Sequence, residues 1–596
     1  MKKFTMLSSV LASALMLTVA SCSSEDVAGG DSQNGKGTTS FLAVNIENVG
    51  SAPASRSSYD KDGTYEDGTD AESKINKVRF YFFNGDGTPY LLVNNESTNK
   101  QSVNYLEQTV EKEGDDHDHT AETKTKAVLV LEGETKTVPA SVIAVINPDA
   151  LENTTLKSGT MTLSELRTSA TGKKFHDDTN GFVMSNSVYE SAGQDVCSTP
   201  VANNVFATSE AALKQPVDIY VERVNAKVNA KIDATYQREG ESEPAWTKNA
   251  EGKYQIKVGS IDVTTYEENA NATSTTKTYP VYAVVQGWQL ADANGKAEVC
   301  KQINTSWYAG ELGISPWTTS DYHRCFWSKS VDFTSGAQGG VNHPVNPKFE
   351  DITQTLSDEF SAKPVYTLPN TPDKVINNPT TSLNTLTKLI VAANLVYQDD
   401  NGSYITAPVC QYNGMTYLGE EAVKKQFIRD FAKYCKKNAT ETGVVYNPIE
   451  ASDITFKTVP GSSVVKDYEV VATLASTVGD LYVKEGETYN KVSKDDVNAA
   501  LAKVEAQVRT DGATYYYTPI KHLGDAGKLG EYGIVRNHSY QVTIQNIKGF
   551  GTPVYDPKKE IDPMIPSDDN TYLAASIKVL SWRVVSSKVN LDQTTK

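Results

Sequence analysis

Val217-Asp218-Ile219-Tyr220-Val221-Glu222-Arg223-Val224-Asn225-Ala226-Lys227-Val228-Asn229-Ala230-Lys231-Ile232 decides how this chain folds. Apolar residues occupy the odd positions 217, 219 and 221, then the even positions 224, 226, 228, 230 and 232. Alternation with period two marks a β-strand that buries one face. A slip of one residue sends every following side chain to the opposite face. The flip at Arg223 therefore requires a one-residue β-bulge or a strand that passes from one sheet to another.

The same strand signal extends in both directions. Val78 to Phe83 precedes the turn Asn84-Gly85-Asp86-Gly87, and Ala127 to Leu131 and Ser141 to Ile146 are continuous apolar runs of strand length. Downstream, Tyr279–Trp288, Leu389–Tyr397, Tyr468–Leu474, Thr514–Ile520 and Ser539–Ile547 continue the pattern. Helical spacing is confined to Glu420–Lys437, through Ala422, Phe427, Ile428, Phe431 and Tyr434, and to Lys494–Val508. Short strands at irregular intervals with few helices predict an all-β chain of sandwiches.

Composition agrees. The 596 residues include 31 Tyr, 16 Phe and 6 Trp, which supply large apolar areas to bury, and 22% are charged. At roughly 100–200 residues per domain there is room for two to four domains. A net charge of −17 argues against a nucleic-acid partner, because phosphate contacts need clustered Lys and Arg.

The N-terminus carries an export pattern. Lys2 and Lys3 precede the apolar stretch Leu7–Ala20, which is too short for a stable span and reads as a signal peptide over residues 1–21. Val19-Ala20-Ser21-Cys22 has the form of a lipoprotein box, in which Cys22 is acylated before cleavage. Several acyl chains on one Cys form a durable anchor. The other five cysteines, Cys197, Cys300, Cys325, Cys410 and Cys435, are odd in number and lack CxxC spacing, so isolated buried thiols are expected. Residues 23–40 read as a flexible tether, followed by Leu42, Val44 and Ile46 alternating as a first strand. Arg56, the first Arg in the chain, lies among small residues in Ala54-Ser55-Arg56-Ser57-Ser58.

The C-terminus ends in three alternating segments, Ala575-Ile577-Val579, Leu580-Trp582-Val584 and Val585-Ser587-Val589-Leu591. They follow a proline-rich linker, so this strand-former must close its own domain or pair elsewhere.

Catalytic patterns are missing from the sequence: there is no GxSxG, P-loop, GxGxxG, HExxH or paired CxxC. His117-Asp118-His119 reads as part of a solvated charged loop rather than a metal site, and Asp60–Gly68 departs from a calcium loop at its turn glycine and closing Glu. His323 and Cys325 would be catalytic partners only if they faced each other. A scattered carboxylate pair for glycoside hydrolysis has no specific support. No catalytic residue, metal or cofactor is expected.

In order along the chain, the lipoprotein box, Tyr65-Glu66-Asp67-Gly68-Thr69, Ile75–Phe83, Val142–Pro148, Tyr220–Val228 and Trp288-Gln289-Leu290 form a familiar series. It continues through Tyr322–Trp327, Ile534–Tyr540, Lys548–Pro553 and Lys578–Val585. The series resembles the minor fimbrium subunit, or fimbrillin, family of type V pilus subunits from oral and gut anaerobes. That resemblance implies two transthyretin-like (Ig-like) β-sandwich domains in tandem with minor helical insertions. It implies a lipoprotein at the cell outer membrane, incorporated into a surface fimbrium that supports adhesion. Such subunits lose an N-terminal segment, first strand included, to an Arg-specific protease. The groove left behind accepts a C-terminal donor strand from a neighbour.

Carried onto this chain, the resemblance makes Leu42, Val44 and Ile46 the plug strand, Arg56 the processing site, and Val585, Val589 and Leu591 the donor residues within a strand of about 575–591. The expected organisation is a signal peptide (1–21), a lipidated propeptide (22–56), an N-terminal sandwich (57–215) and a C-terminal sandwich (216–596). Partners are identical subunits together with accessory, anchor and tip subunits, and stalk and anchor roles both remain open. The rival reading is a surface lipoprotein that never polymerises and binds host or glycan ligands, with Trp246, Trp307 and Trp317 as stacking platforms.

Overall fold

The computed structural model describes residues 39–48, 65–93, 102–109, 125–151, 156, 159–171, 175–187, 189–191, 194–266, 274–302, 330, 346–372, 375–376, 386–440, 443–459, 469–522, 526–528, 530–561, 563 and 572–583. Along the chain, β1 (Thr39–Asn48) is followed by β2 (Tyr65–Asp67), β3 (Lys77–Phe83), β4 (Tyr105–Thr109), β5 (Thr125–Glu132) and β6 (Ser141–Ile146). Next come β7 (Met184–Asn186), β8 (Val205–Phe206) and β9 (Val217–Arg223). All of these except β2 join one sheet, ordered β1–β9–β7–β6–β3–β4, with β5 along the other edge of β1. The inner faces of β1, β3, β5, β6 and β9 enclose one core. The opposite faces of β3 and β6 bury Tyr81, Phe83, Ile143 and Val145 in a second cluster. This double burial is why β3 and β6 read as continuous apolar runs rather than alternating ones.

The second part contains β10 (Ala226–Ile232), β11 (Tyr254–Tyr266), β12 (Ser274–Ala291), β13 (Val365–Thr367), β14 (Lys388–Gln398), β15 (Ala513–Pro519), β16 (His538–Lys548) and β17 (Tyr572–Arg583). One sheet runs β2–β17–β16–β10–β13 and the other contains β11–β12–β14–β15. They face each other across a core that holds Val228, Ile232, Ile256, Trp288, Val391, Tyr540 and Ile544. A register shift interrupts β12 between Val285 and Gly287. A Cβ at Gly287 would lie 2.7 Å from the Ile352 carbonyl oxygen, so the irregular strand needs glycine there.

The phase flip resolves as a change of sheet. β9 lies in the first sheet and β10 in the second. The crossover therefore falls at residues 224–225, beyond the 215/216 division expected from sequence, because Val217, Ile219 and Val221 pack into the first core.

A third core lies between β14 and β15. It joins Cys410, Phe427, Tyr434, Ile454, Val470, Leu481, Leu501 and Val508 under short strands and two helices, α1 (Glu420–Asp430) and α2 (Lys494–Leu501). The expected "minor helical insertions" are thus a β-rich unit with its own core. Both helices also stop earlier than their periodicity predicts. Tyr434 opens the strand Tyr434–Thr440, and Glu505–Val508 is a strand. Phe427, Phe431 and Tyr434 share one core, so burial preserved the helical spacing after the helix had ended.

Candidate assembly groove

β1 is an internal strand. One edge pairs antiparallel with β5 from Thr39↔Glu132 to Ile46↔Thr125. The other edge meets β8 at Phe41 and Leu42, then runs parallel to β9 from Val44↔Val217 to Asn48↔Val221. Leu42 and Val44 are 0% and 1% exposed and pack with Phe80, Phe82, Leu129, Leu131 and Ile219. On the opposite face Ala43 and Asn45 are also buried, and the Asn45 amide donates 2.7 Å to an Asp218 carboxylate oxygen. Of the expected plug residues, Leu42 and Val44 therefore sit in the core, and Ile46 is placed by its backbone pairs with Thr125 and Ile219. Without β1, the walls β5 and β9 would bound a strand-shaped apolar groove.

The chain leaves β1 in the first sheet and reappears as β2 in the second, where Tyr65–Asp67 pair in parallel with Ser581–Arg583 of β17. Arg56 belongs to the connecting segment and lies outside the described residues, as does Cys22. β17 pairs antiparallel with β16 from His538↔Ser581 to Lys548↔Tyr572, and Leu573 joins the second core. The first part of the expected donor strand, residues 575–583, is therefore built into its own domain. Val585, Val589 and Leu591 lie outside the described residues.

The β9 wall is held by buried charge at the sheet crossover, which sequence patterning did not reveal beyond the flip at Arg223. Lys227 Nζ lies 3.2 Å from Glu72 Oε1, with both side chains almost fully buried. The Arg223 guanidinium donates 2.9 Å to the Glu72 carbonyl, and the Tyr366 hydroxyl donates 2.5 Å to Glu72 Oε1. Burial opposes ionisation of Glu72, yet the Tyr366 hydrogen bond, Lys227, the Thr69 amide and Arg223 together hold its carboxyl below the usual range. Nearby, Lys301 Nζ is 2.6 Å from Glu222 Oε1, both buried. Removing one partner of such a pair leaves an uncompensated charge, so the cluster pins one relative placement of β9 and β10. No sequence period marks these residues, because their partners are far apart along the chain.

The stacking platforms of the rival reading fare differently. Trp246 is 3% exposed and its indole N–H donates 2.8 Å to the Gln545 carbonyl, so it is a core residue and not a sugar platform. Trp307 and Trp317 lie outside the described residues, as do His117, His119, His323 and Cys325. Among the described residues no cluster of three His, Cys, Asp or Glu side chains has metal-binding geometry. Cys197, Cys300, Cys410 and Cys435 are buried, and burial pushes the Cys410 thiol up to about 11.

Residues 508–588 match the family model described as major fimbrial subunit protein type IV, Fimbrillin, C-terminal. That span holds β15, β16 and β17. No curated protein matches the chain. Among solved structures, a candidate cell adhesion protein from Parabacteroides distasonis is 12% identical, with the match covering 92% of this chain and 99% of that one at a TM-score of 0.35. A second candidate cell adhesion protein from the same organism is 10% identical over 93% of this chain and 100% of that one, TM-score 0.37. The C-terminally truncated tip fimbrial protein Mfa3 from Porphyromonas gingivalis is 10% identical over 91% of this chain and 100% of that one, TM-score 0.30.

Proposed function

We propose that the chain is a structural subunit of a cell-surface fimbrium, stored with its assembly groove plugged by its own β1 and polymerised by donor-strand exchange. The observation that carries this reading is the seat of β1, which lies between β5 and β8/β9 immediately upstream of the Arg56 segment. The fimbrillin match over residues 508–588 supports it independently.

In this scheme the precursor is exported, lipidated at Cys22 and held at the outer membrane. An unpaired sheet edge is a template for uncontrolled association, and β1 covers two such edges until assembly. Cleavage after Arg56 detaches anchor and plug together. β2 stays with the mature chain, since it lies beyond the cut. The vacated groove then takes a neighbour's strand by main-chain augmentation. Because β17 is committed to its own sheet, the donor is the tail beyond Arg583, with Val585, Val589 and Leu591 as its apolar side chains. Burying these three at roughly 1.5–3 kcal/mol each, with ladder hydrogen bonds at roughly 0.5–1.5 kcal/mol net, supports slow dissociation suited to a fibre.

Limited trypsin treatment of the purified chain, followed by N-terminal sequencing and electron microscopy, tests the proposal. A new terminus at Ser57 with filaments is the expected result. Full cleavage at Arg56 that leaves only monomers would refute polymerisation by this route.

A further inference from the structure

We infer that the outward face of the four-stranded sheet in the third unit is a binding site for an acidic oligosaccharide. The sheet is ordered Gly443–Pro448, Tyr434–Thr440, Leu481–Glu485, Thr488–Val492. Residues directly opposite one another share a face. Tyr434↔Val483 and Leu481↔Val492 turn inward to the unit's core. Tyr446↔Lys437, Cys435↔Tyr482, Tyr482↔Lys491 and Lys484↔Tyr489 consequently turn outward. Three tyrosines and three lysines thus alternate across one solvent-side surface.

The rings form one aromatic patch. Tyr446 and Tyr489 stack with centroids 4.0 Å apart and planes 6° from parallel, although they come from the two edge strands, and Tyr482 meets Tyr446 edge-on at 5.1 Å. Cys435 lies on this face and is only 4% exposed, so the larger side chains close over it. Val444, two residues from Tyr446 on the same face, is 51% exposed and extends the apolar area.

Positive charge surrounds the rings in a chain whose net charge is −17. Lys491 is paired with Asp480 at 2.7 Å, whereas Lys437 and Lys484 make no ion pair among the described residues. Lys491 chiefly, with Lys494 and Lys437 adding, holds the Asp480 carboxyl below the usual range.

Size selects the class of ligand. Four strands about 4.8 Å apart, each showing about five residues at about 3.4 Å, give a face of about 250 Å². A short sugar chain fits: pyranose C–H faces lie against tyrosine, hydroxyls meet polar edges, and carboxylates reach Lys437 and Lys484. This inference is separate from the assembly proposal, since a chain that binds but never polymerises would retain it.

Isothermal titration of the full chain with trigalacturonate, a hyaluronan hexasaccharide and an α2,8-linked sialic acid trimer is the test, with maltotriose and a poly-glutamate peptide as comparators. At least one acidic sugar should bind in 50 mM salt, weaken at least fivefold in 500 mM salt, and outbind both comparators. The double variant Lys437→Gln/Lys484→Gln should lose at least tenfold in affinity with its melting temperature unchanged, and Tyr446→Ala should lose a similar factor. If Tyr446→Ala unfolds the unit, the lysine variant alone decides. Absence of binding by all three acidic sugars, affinity indifferent to the lysines, or equal binding of poly-glutamate would each overturn the assignment.

Discussion

Leu42→Ala separates a permanent strand from a removable one. Leu42 is fully buried, and both edges of its strand are hydrogen-bonded, so the surrounding core has little freedom to collapse into the space left behind. Large-to-small core substitutions of this kind cost about 2–5 kcal/mol, and a well-fixed site of this sort suggests about 3 kcal/mol. For a domain of this size, about 2–4 °C is lost per kcal/mol, so the first domain of the intact precursor should melt about 6–12 °C lower. Under the proposed cleavage at Arg56 and assembly, β1 leaves the fold. The processed Leu42→Ala protein should then melt with processed wild type, to within about 1 °C. Scanning calorimetry before and after trypsin treatment reads both quantities. An equal shift in the two forms would show that β1 remains in the mature fold, and the plug reasoning would be wrong.

Two further outcomes are expected. A chain ending at Arg583 keeps all ten residue pairs between β16 and β17 and should melt like the intact chain yet form no fibres, whereas a chain ending at Asp569 loses that ladder, at roughly 0.5–1.5 kcal/mol per bond, and should not fold its second domain; fibres from the Arg583 chain, seen by electron microscopy, would exclude residues 584–596 as donor. His522 supplies a pH test: its Nδ1 lies 3.0 Å from the Tyr540 hydroxyl, and burial pushes its pKa down from 6.5 to about 3. The unfolded chain therefore binds a proton that the folded chain refuses, so this contribution to stability is whole above about pH 6.5 and is lost as pH falls toward 3. Between pH 7.5 and 5 it amounts to about 2 kcal/mol. His522→Phe should shrink the difference in urea-unfolding free energy between those two pH values by that amount, and an unchanged difference would contradict it.

The strands were legible wherever one face is dry and the other polar. Val217–Ile232 is the clearest case, since its flip foretold a crossover whose destination sequence alone left open. Continuous runs such as Ser141–Ile146 were legible as strands for a different reason, burial on both faces. The third unit was not legible as a unit, because its strands are short and its helices end where core burial carries the helical period onward through Tyr434. Trp246 was a stacking platform only under the rival reading, and core burial was the expectation for at least two of the three tryptophans. Its burial rests on partners distant along the chain, the Gln545 carbonyl and the core behind it, which no local window contains.

What the sequence by itself determined is local: strand periodicity, an acidic tyrosine-rich chain, an export pattern ending at Cys22, and an alternating first strand and tail. These follow from side-chain period and composition, which act between near neighbours. Which edge each strand meets was decided only by the tertiary structure. β1 is a plug candidate because β5 and β9, far along the chain, close on both its edges; β17 belongs to its own sheet because β16 pairs with it from Tyr572 to Ser581. Pairing of this kind depends on register and on shared burial between distant segments, and neither quantity is encoded in any single window of residues.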